Sequence, residues 1–387
     1  MKKTVENYEY NGKKVILRCD LNVPLENGII TDDTRIKESL NTINYLIDNG
    51  AKIIILSHLG KVKTDEDKRK KSLYPVYLRL KELLNTEVIF SEETKGKELE
   101  EKVKNLKSGE VLLIENTRFE DIDGKKESSC DNELSKYWAS LGDIYINDAY
   151  GTSHRSHASN VGISRLLPNG VGFLVEKEIT KLDEIINEKT NPFIVVMGGK
   201  KISDKTLVIE NLIEKCDQIL VGGGMCFTFL KALNINIGSS IVDDENLEFC
   251  KSILNKYRDK IVLPIDIITS NKEIKDITNL NNNDIGYDIG PKTINNFTSI
   301  LKTAKRVVIN GPMGVFEEPD FSQGTNAIYK CLKDNNIKTL IGGGDSAASV
   351  NLLGYNNSFF HISTGGGATL DYLGGKTLPG IEVIGDK

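Results

Sequence analysis

Short apolar runs punctuate the chain: KVILRC (14–19), AKIIILS (51–57), VLLIEN (111–116), DIYIND (143–148), PFIVVMGG (192–199), DQILVGGG (217–224), RVVING (306–311) and KTLIGGG (338–344). Longer stretches with helical spacing separate them. Most of the runs lack apolar–polar alternation, which predicts strands covered on both faces, and strands alternating with helices predict a parallel α/β fold. Several runs end in a polar or glycine-rich turn. In such folds ligands gather at these carboxyl-terminal strand ends.

The segment from Gly172 to Pro192 has apolar residues at Leu174, Ile179, Leu182, Ile185 and Ile186 and stops near a proline. This predicts one long helix near mid-chain. The chemistry differs on its two sides, so the domain boundary is placed there, and 387 residues suit two domains. The tracts KVKTDEDKRKK, beginning at Lys61, EDIDGKKESSCDNE (120–133) and NLNNNDIG (279–286) carry charge or asparagine without an apolar period. All three read as solvated loops.

Composition narrows the function classes. With 39% hydrophobic and 27% charged residues the chain has the balance of a soluble globular protein. Fifty Lys and Arg against 55 Asp and Glu give a net charge of -5, which argues against a nucleic-acid partner. No apolar stretch reaches membrane-spanning length, and the opening MKKTVENYEYNGKK has no apolar segment of signal-peptide type, so a cytoplasmic protein without a membrane partner is expected. The six cysteines form no CxxC pair and read as small buried residues in a reducing compartment.

Only nine of the 50 basic residues are arginine, so each arginine's position is informative. Arg18, Arg35, Arg118 and Arg155 are placed at or beside strand ends of the first half, near His58, His154, His157, Asp20 and Asn22. A guanidinium grips phosphate or carboxylate with two parallel hydrogen bonds, a geometry lysine cannot copy. For any one arginine a surface salt bridge is an adequate explanation; the cluster points to a basic pocket for a small anion. His154 and His157 form an HxxH without a carboxylate partner motif, leaving metal ligation, anion contact and a structural role as the alternatives.

The second half uses other parts. Gly198-Gly199, Gly222–Gly224, Gly342–Gly344 and Gly365–Gly367 each follow an apolar run and precede a helix-patterned stretch. Glycine permits close backbone approach, and a helix amino terminus offers free N–H groups and partial positive charge. Four such loops in one domain point to a polyphosphate lying across the sheet end. Lys201 and Lys205, four residues apart, are expected to face one phosphate from a single helical turn. Asp345, at a helix start, has two readings, a magnesium ligand and a helix cap. No P-loop, dinucleotide fingerprint or GxSxG elbow is present, which disfavours a nicotinamide dehydrogenase as the rival. The residues by themselves lead to a two-substrate kinase.

At this point the chain resembles the phosphoglycerate kinase family over nearly its whole length. The resemblance rests on RCDLNVP (18–24), SHLG (57–60), ENTRF (115–119), NDAYGTSHR (147–155), GGKKISDK (198–205), GGGMCFTF (222–229), NGPMGVFE (310–317), GGGDS (342–346) and STGGG (363–367), in that order. It implies two Rossmann-like domains with parallel sheets flanked by helices. These would be an amino-terminal 3-phosphoglycerate domain (1–172), an interdomain helix (173–188) and a carboxyl-terminal nucleotide domain (189–368), with residues 369–387 packing back on the first. It also implies a monomer that transfers phosphoryl reversibly between ATP and 3-phosphoglycerate, giving ADP and 1,3-bisphosphoglycerate, with Mg2+ on the nucleotide.

Residue by residue, the resemblance assigns the acid substrate to Asp20, Asn22, Arg35, His58, Lys61, Arg118 and Arg155. It assigns the nucleotide to Gly199, Lys201, Lys205, Gly223, Gly290, Asn310, Pro312, Glu317, Gly343, Gly344, Asp345 and Ser346. Asp345 takes the metal, and Arg35, Lys201, Gly343 and Gly366 are catalytic. Arg35 and Lys201 are expected to converge on the transferring group as a cleft closes. Three positions depart from the family pattern: Lys61 where arginine is usual, Lys200 where a small residue lies near the adenine, and Ile309 where an aromatic is frequent. Lys200 is expected to turn outward, and Ile309 to be a packing substitution. A catalytically silent relative acting as a binding protein is the rival that Lys200 raises.

Overall fold

The computed structural model describes residues 2–387. Two compact units divide the chain, one running through Ile179 and taking back Thr377–Lys387, the other Thr180–Lys376.

The first unit is built on strands β1 (Lys14–Cys19), a short hairpin of β2 (Leu25–Glu26) and β3 (Ile29–Ile30), then β4 (Lys52–Leu56), β5 (Val88–Ser91), β6 (Val111–Ile114), β7 (Ile144–Asp148) and β8 (Asn169–Val171). Its main sheet runs in the order β5-β6-β4-β1-β7-β8, and its pairings are parallel. Along β1, β4, β6 and β7 nearly every residue is buried, the reason these runs show no alternation. The chain winds away from β1 on one side through β4 and returns on the other through β7. The switch point therefore falls between β1 and β7, where such sheets open a crevice at their carboxyl ends.

The second unit holds β9 (Phe193–Met197), β10 (Gln218–Val221), β11 (Ile261–Val262), β12 (Asp266–Thr269), β13 (Ile274–Asp276), β14 (Gly286–Ile289), β15 (Arg306–Asn310), β16 (Lys338–Gly342) and β17 (His361–Ile362). The parallel sheet runs β11-β10-β9-β15-β16-β17, with its switch point between β9 and β15. A smaller antiparallel sheet, β13-β12-β14, has no counterpart in the apolar-run pattern because its strands are short and the outer two are partly exposed. Ile309 lies in the apolar core with Ile194, Val196 and Ile341.

The long helix spans Phe173–Asn187. Its amino terminus is held by Asp148, whose Oδ1 accepts from the N–H groups of Leu174 (2.9 Å) and Val175 (3.3 Å), and by Thr42, whose hydroxyl accepts from Phe173 N–H at 3.0 Å. Its carboxyl end is closed by Arg306, which donates to the carbonyls of Ile185, Ile186 and Thr190. A carboxylate at the first turn and a guanidinium at the last complement the free N–H and C=O groups and the helix dipole.

The carboxyl-terminal return begins later than residue 369. Residues 367–373 form a helix of the second unit, where Asn211 donates to the Leu373 carbonyl at 2.7 Å. Gly380 lies in the first unit, donating to Ser153 and accepting from Asn147.

The three polar tracts are not uniformly loops. Asp65–Lys70 is a short helix capped by Thr64, whose hydroxyl accepts from Asp67 N–H while the Asp67 carboxylate accepts from Thr64 N–H. In the second tract Glu120 and Glu127 are buried, and in the third Asp284 is buried and paired with Lys275 at 2.7 Å. Composition cannot show this, because a single buried charge with a partner leaves no period.

Candidate functional site

At the carboxyl edge of the first sheet the ends of β1, β4 and β6 and the segment after β7 bring cations together. Arg18 is 0% exposed; its Nε donates to Ser159 Oγ at 2.8 Å, one terminal nitrogen donates to the Cys19 carbonyl, and the other lies 3.4 Å from His58 Nδ1. Burial pulls the His58 pKa down to about 3, with Arg18 beside it acting in the same direction. His58 is therefore a neutral ring at physiological pH. His157 is buried and its pKa is likewise lowered to about 3, by burial first and then by Arg118 and Arg18.

Arg118 sits in the 3-10 turn Thr117–Asp121 that follows β6, buried and ion-paired with Asp121 at 2.7 Å. Its Nε is a buried donor without a protein partner. Leaving such a donor unsatisfied costs about 1–3 kcal/mol, which an anion accepting from it would recover. The buried positions of Arg18 and Arg118 remove the surface salt-bridge explanation for both. Arg155 and Lys61 are exposed on the rim, Arg155 donating from Nε to His154 Nε2 at 3.0 Å.

Arg35 is placed differently from the strand-end expectation. It lies in the first turn of the helix Thr34–Asp48 and reaches back to ion-pair with Asp20. Burial pushes the Asp20 carboxyl up, but the guanidinium groups of Arg35 and Arg18 hold it below the usual carboxylate value. Asn22 Oδ1 accepts from Gly60 N–H at 2.8 Å, tying the loop after β1 to the loop after β4.

The second unit presents a cleft of about 450 Å3 at its sheet edge. It is lined by backbone of Gly199, Gly223, Gly224 and Pro312 and by the apolar residues Ile241, Ile285, Tyr287, Val315 and Phe316, with Glu317 and Asp345 also lining it. An apolar slot with a few carboxylates and glycine backbone has the size and character of a nucleoside site. The glycines are required here: Gly223 has φ +60°, and a Cβ there would lie 2.6 Å from Gly199 N. Gly311, at φ +95°, passes within 2.3 Å of Gly198 O by the same measure, so the loops after β9 and β15 touch backbone to backbone at the switch point.

Gly343, at φ +97°, caps the helix Gly344–Leu352, leaving Asp345 exposed in its first turn. The cap is thus the glycine and not Asp345. Ser346 is buried with its Oγ accepting from Gly311 N–H at 2.6 Å, so its hydroxyl braces the two loops. Asn310 likewise braces them, donating to the Gly342 carbonyl at 2.9 Å.

Lys201 and Lys205 do not share a helical turn. The helix starts at Thr206, Lys205 is its cap, and residues 203–205 form a turn. Lys205 Nζ lies beside Gly199, 3.5 Å from where a Cβ would be, and burial lowers its pKa against the opposing pull of Asp204 and Asp345. Lys201 is exposed, as is Lys200, which lines the cleft and lays its carbonyl against Gly224. Gly290 is not in the cleft wall; it caps the helix Pro291–Leu301, where a side chain would collide with Asp266. Gly366 caps the short helix Gly367–Leu373.

Sequence reasoning passed over Glu127, Ser159 and Asp121, which pack directly around the cationic cluster. Their signal was weak, since serines and acids in a polar tract look solvated until the fold buries them.

A buried cluster of cationic side chains on one α/β unit and a glycine-walled cleft on another fit a two-substrate kinase. The sequence profile of the family described as phosphoglycerate kinase matches residues 5–376. The phosphoglycerate kinase of Fusobacterium nucleatum is 53% identical and that of Enterococcus faecalis 52% identical, each alignment covering all of both chains. Among solved structures, phosphoglycerate kinase from Coxiella burnetii superposes with a TM-score of 0.87 at 34% identity, covering 99% of this chain and 98% of that one. The enzyme from Pyrococcus horikoshii gives 0.85 at 34% identity with the same coverage. The chain belongs to the phosphoglycerate kinase family, phosphotransferases of glycolysis that act on a carboxyl group with magnesium and ATP.

Proposed function

We propose that the first unit holds 3-phosphoglycerate, or 1,3-bisphosphoglycerate in the reverse direction, through Asp20, Asn22, Arg35, His58, Arg118 and Arg155, with Lys61 supplying charge from the rim. The observation that carries this reading is the buried, unsatisfied Arg118 Nε beside Arg18 and two neutral histidines. Two fixed guanidinium groups recognise an anion, while histidines held neutral donate hydrogen bonds without adding charge.

The second unit takes ATP or ADP. Gly199, Gly223 and Pro312 offer close backbone, Lys205 and Lys201 charge for the phosphates, Gly343 and Gly344 the opening of a helix, and Glu317 a polar contact for the ribose. Asn310, Ser346, Gly290 and Gly366 shape the loops behind them. One exposed carboxylate, Asp345, fits a magnesium ion that keeps most of its waters and shares the nucleotide phosphates. Bound there, the ion would neutralise phosphate charge.

Phosphoryl transfer leaves little covalent work to the protein, so positioning and cations carry the catalysis. The carboxylate of 3-phosphoglycerate is ionised at neutral pH and needs no general base. Arg35 and Lys201 meet on the transferring group when the two ligands are brought together, Arg35 acting as an arginine finger. The chain works as a cytoplasmic monomer; among the described residues no helix is long and apolar enough to cross a membrane. Calorimetric titration tests the division of labour: Arg118→Ala should weaken 3-phosphoglycerate and spare ADP, and Lys205→Ala the reverse. Loss of both ligands from either variant would contradict it.

A further inference from the structure

Glu127 belongs to a tract whose composition reads as solvent-exposed, yet its side chain is 0% exposed. One carboxylate oxygen accepts from Ser159 N–H at 2.9 Å, the other from the Ser159 hydroxyl. The same hydroxyl oxygen accepts Arg18 Nε–H at 2.8 Å, and Arg18 in turn lies 3.4 Å from His58 Nδ1. His157 Nδ1 stands 3.7 Å from Glu127, close enough to feel the charge and too far for a hydrogen bond. Arg18 makes no direct ion pair among the described residues, so Ser159 is its link to a buried negative charge.

Placing a carboxylate where no water reaches it is unfavourable by several kcal/mol unless hydrogen bonds and nearby cations offset the loss of hydration. A site needing only filled volume would be served by Met or Leu. Here both oxygens are spent on one serine, and that serine fixes the plane of one guanidinium. Guanidinium recognition depends on that plane, since a rotated fork loses one of its two hydrogen bonds.

We infer that Glu127 is a positioning residue for the acid-substrate site, acting through Ser159 to fix the Arg18 guanidinium and, through it, the face of His58. It does not touch the substrate. This inference rests on the first unit being the 3-phosphoglycerate site.

The test is calorimetric titration of 3-phosphoglycerate and of ADP into the full-length protein and its variants, alongside the Arg18 Nε–H resonance by NMR. Ser159→Ala and Glu127→Ala should each weaken 3-phosphoglycerate by about tenfold, a factor worth about 1.4 kcal/mol, and leave ADP within about twofold. The double variant should be no worse than the weaker single, because both remove one relay. Glu127→Gln can accept from Ser159 N–H and donate to Ser159 Oγ, which still accepts from Arg18, so it should recover most of the affinity. The Arg18 Nε–H signal should be protected in the wild type and the Gln variant and lost in the other two.

A purely structural role predicts lowered stability with 3-phosphoglycerate affinity unchanged, or both ligands weakened together; either result overturns the inference. If Glu127→Ala does not fold, wild-type affinity in Ser159→Ala overturns it alone. A wild type that binds ADP but no 3-phosphoglycerate overturns the reading of the site itself, and the relay's role with it.

Discussion

The carboxylate of Asp20, buried at the end of the strand Lys14–Cys19, is ion-paired to the guanidinium of Arg35 in the first turn of the following helix. The pair fixes where the fork of Arg35 points. Arg35 keeps about a third of its side chain exposed, so the pair constrains direction without removing the group from solvent. Asp20→Asn, which keeps the size and removes the charge, is expected to lower kcat/KM for 3-phosphoglycerate by about tenfold, roughly 1.4 kcal/mol of transition-state stabilisation. Unchanged kcat/KM in steady-state assays would show that Arg35 needs no such guide.

Asp148 holds the amino terminus of the long helix, and Arg306 closes its other end. Replacing an N-terminal capping carboxylate by alanine removes about 0.5–2 kcal/mol. Asp148→Ala should lower the urea midpoint accordingly, with an unchanged slope. Equal midpoints would mean that Thr42 alone secures the helix.

Gly223 tests the nucleotide cleft from the backbone. Its positive φ and the 2.6 Å approach to Gly199 N leave no place for a methyl group. Gly223→Ala should weaken ADP by about tenfold or more while 3-phosphoglycerate binding stays within about twofold, each read by calorimetry. Normal ADP affinity would place the nucleotide elsewhere.

Asp288, buried in the strand Gly286–Ile289, accepts from Gly324 N–H and Ile289 N–H, and burial raises its carboxyl to about 7 despite those bonds. A carboxyl whose folded pKa exceeds its unfolded one contributes stability that is present below about pH 4 and is lost as pH rises through about 7. Asp288→Asn does not titrate. Its stability relative to the wild type should therefore improve from about pH 4 to about pH 7 and level off above that in denaturant titrations. A pH-independent difference would contradict the assignment.

The parallel strands and the long helix were legible because covered strands give unbroken apolar runs and the helix gives a 3.6-residue period. Strands β5, β8, β11 and β17 and the antiparallel sheet were not, being short or partly exposed. At the site, Arg18, His58 and Arg118 were readable from residue type and strand-end position. The helical turn expected to carry both Lys201 and Lys205 is absent, since four-residue spacing cannot distinguish a helical turn from the turn that precedes one. Glu127 was hidden by its polar neighbours, and only the tertiary structure shows that it faces Ser159.

We propose that the first unit's arginine cluster and the second unit's glycine cleft serve one phosphoryl transfer. The most direct measurement is turnover of Mg-ATP with 3-phosphoglycerate, coupled to glyceraldehyde-phosphate dehydrogenase and followed by NADH consumption, for wild type and Arg35→Ala. Turnover in the wild type and a fall in kcat of about 10³ to 10⁵ in the variant, with both ligands still bound, is the predicted result. Arg35→Ala that keeps its kcat and loses only affinity for 3-phosphoglycerate would contradict it.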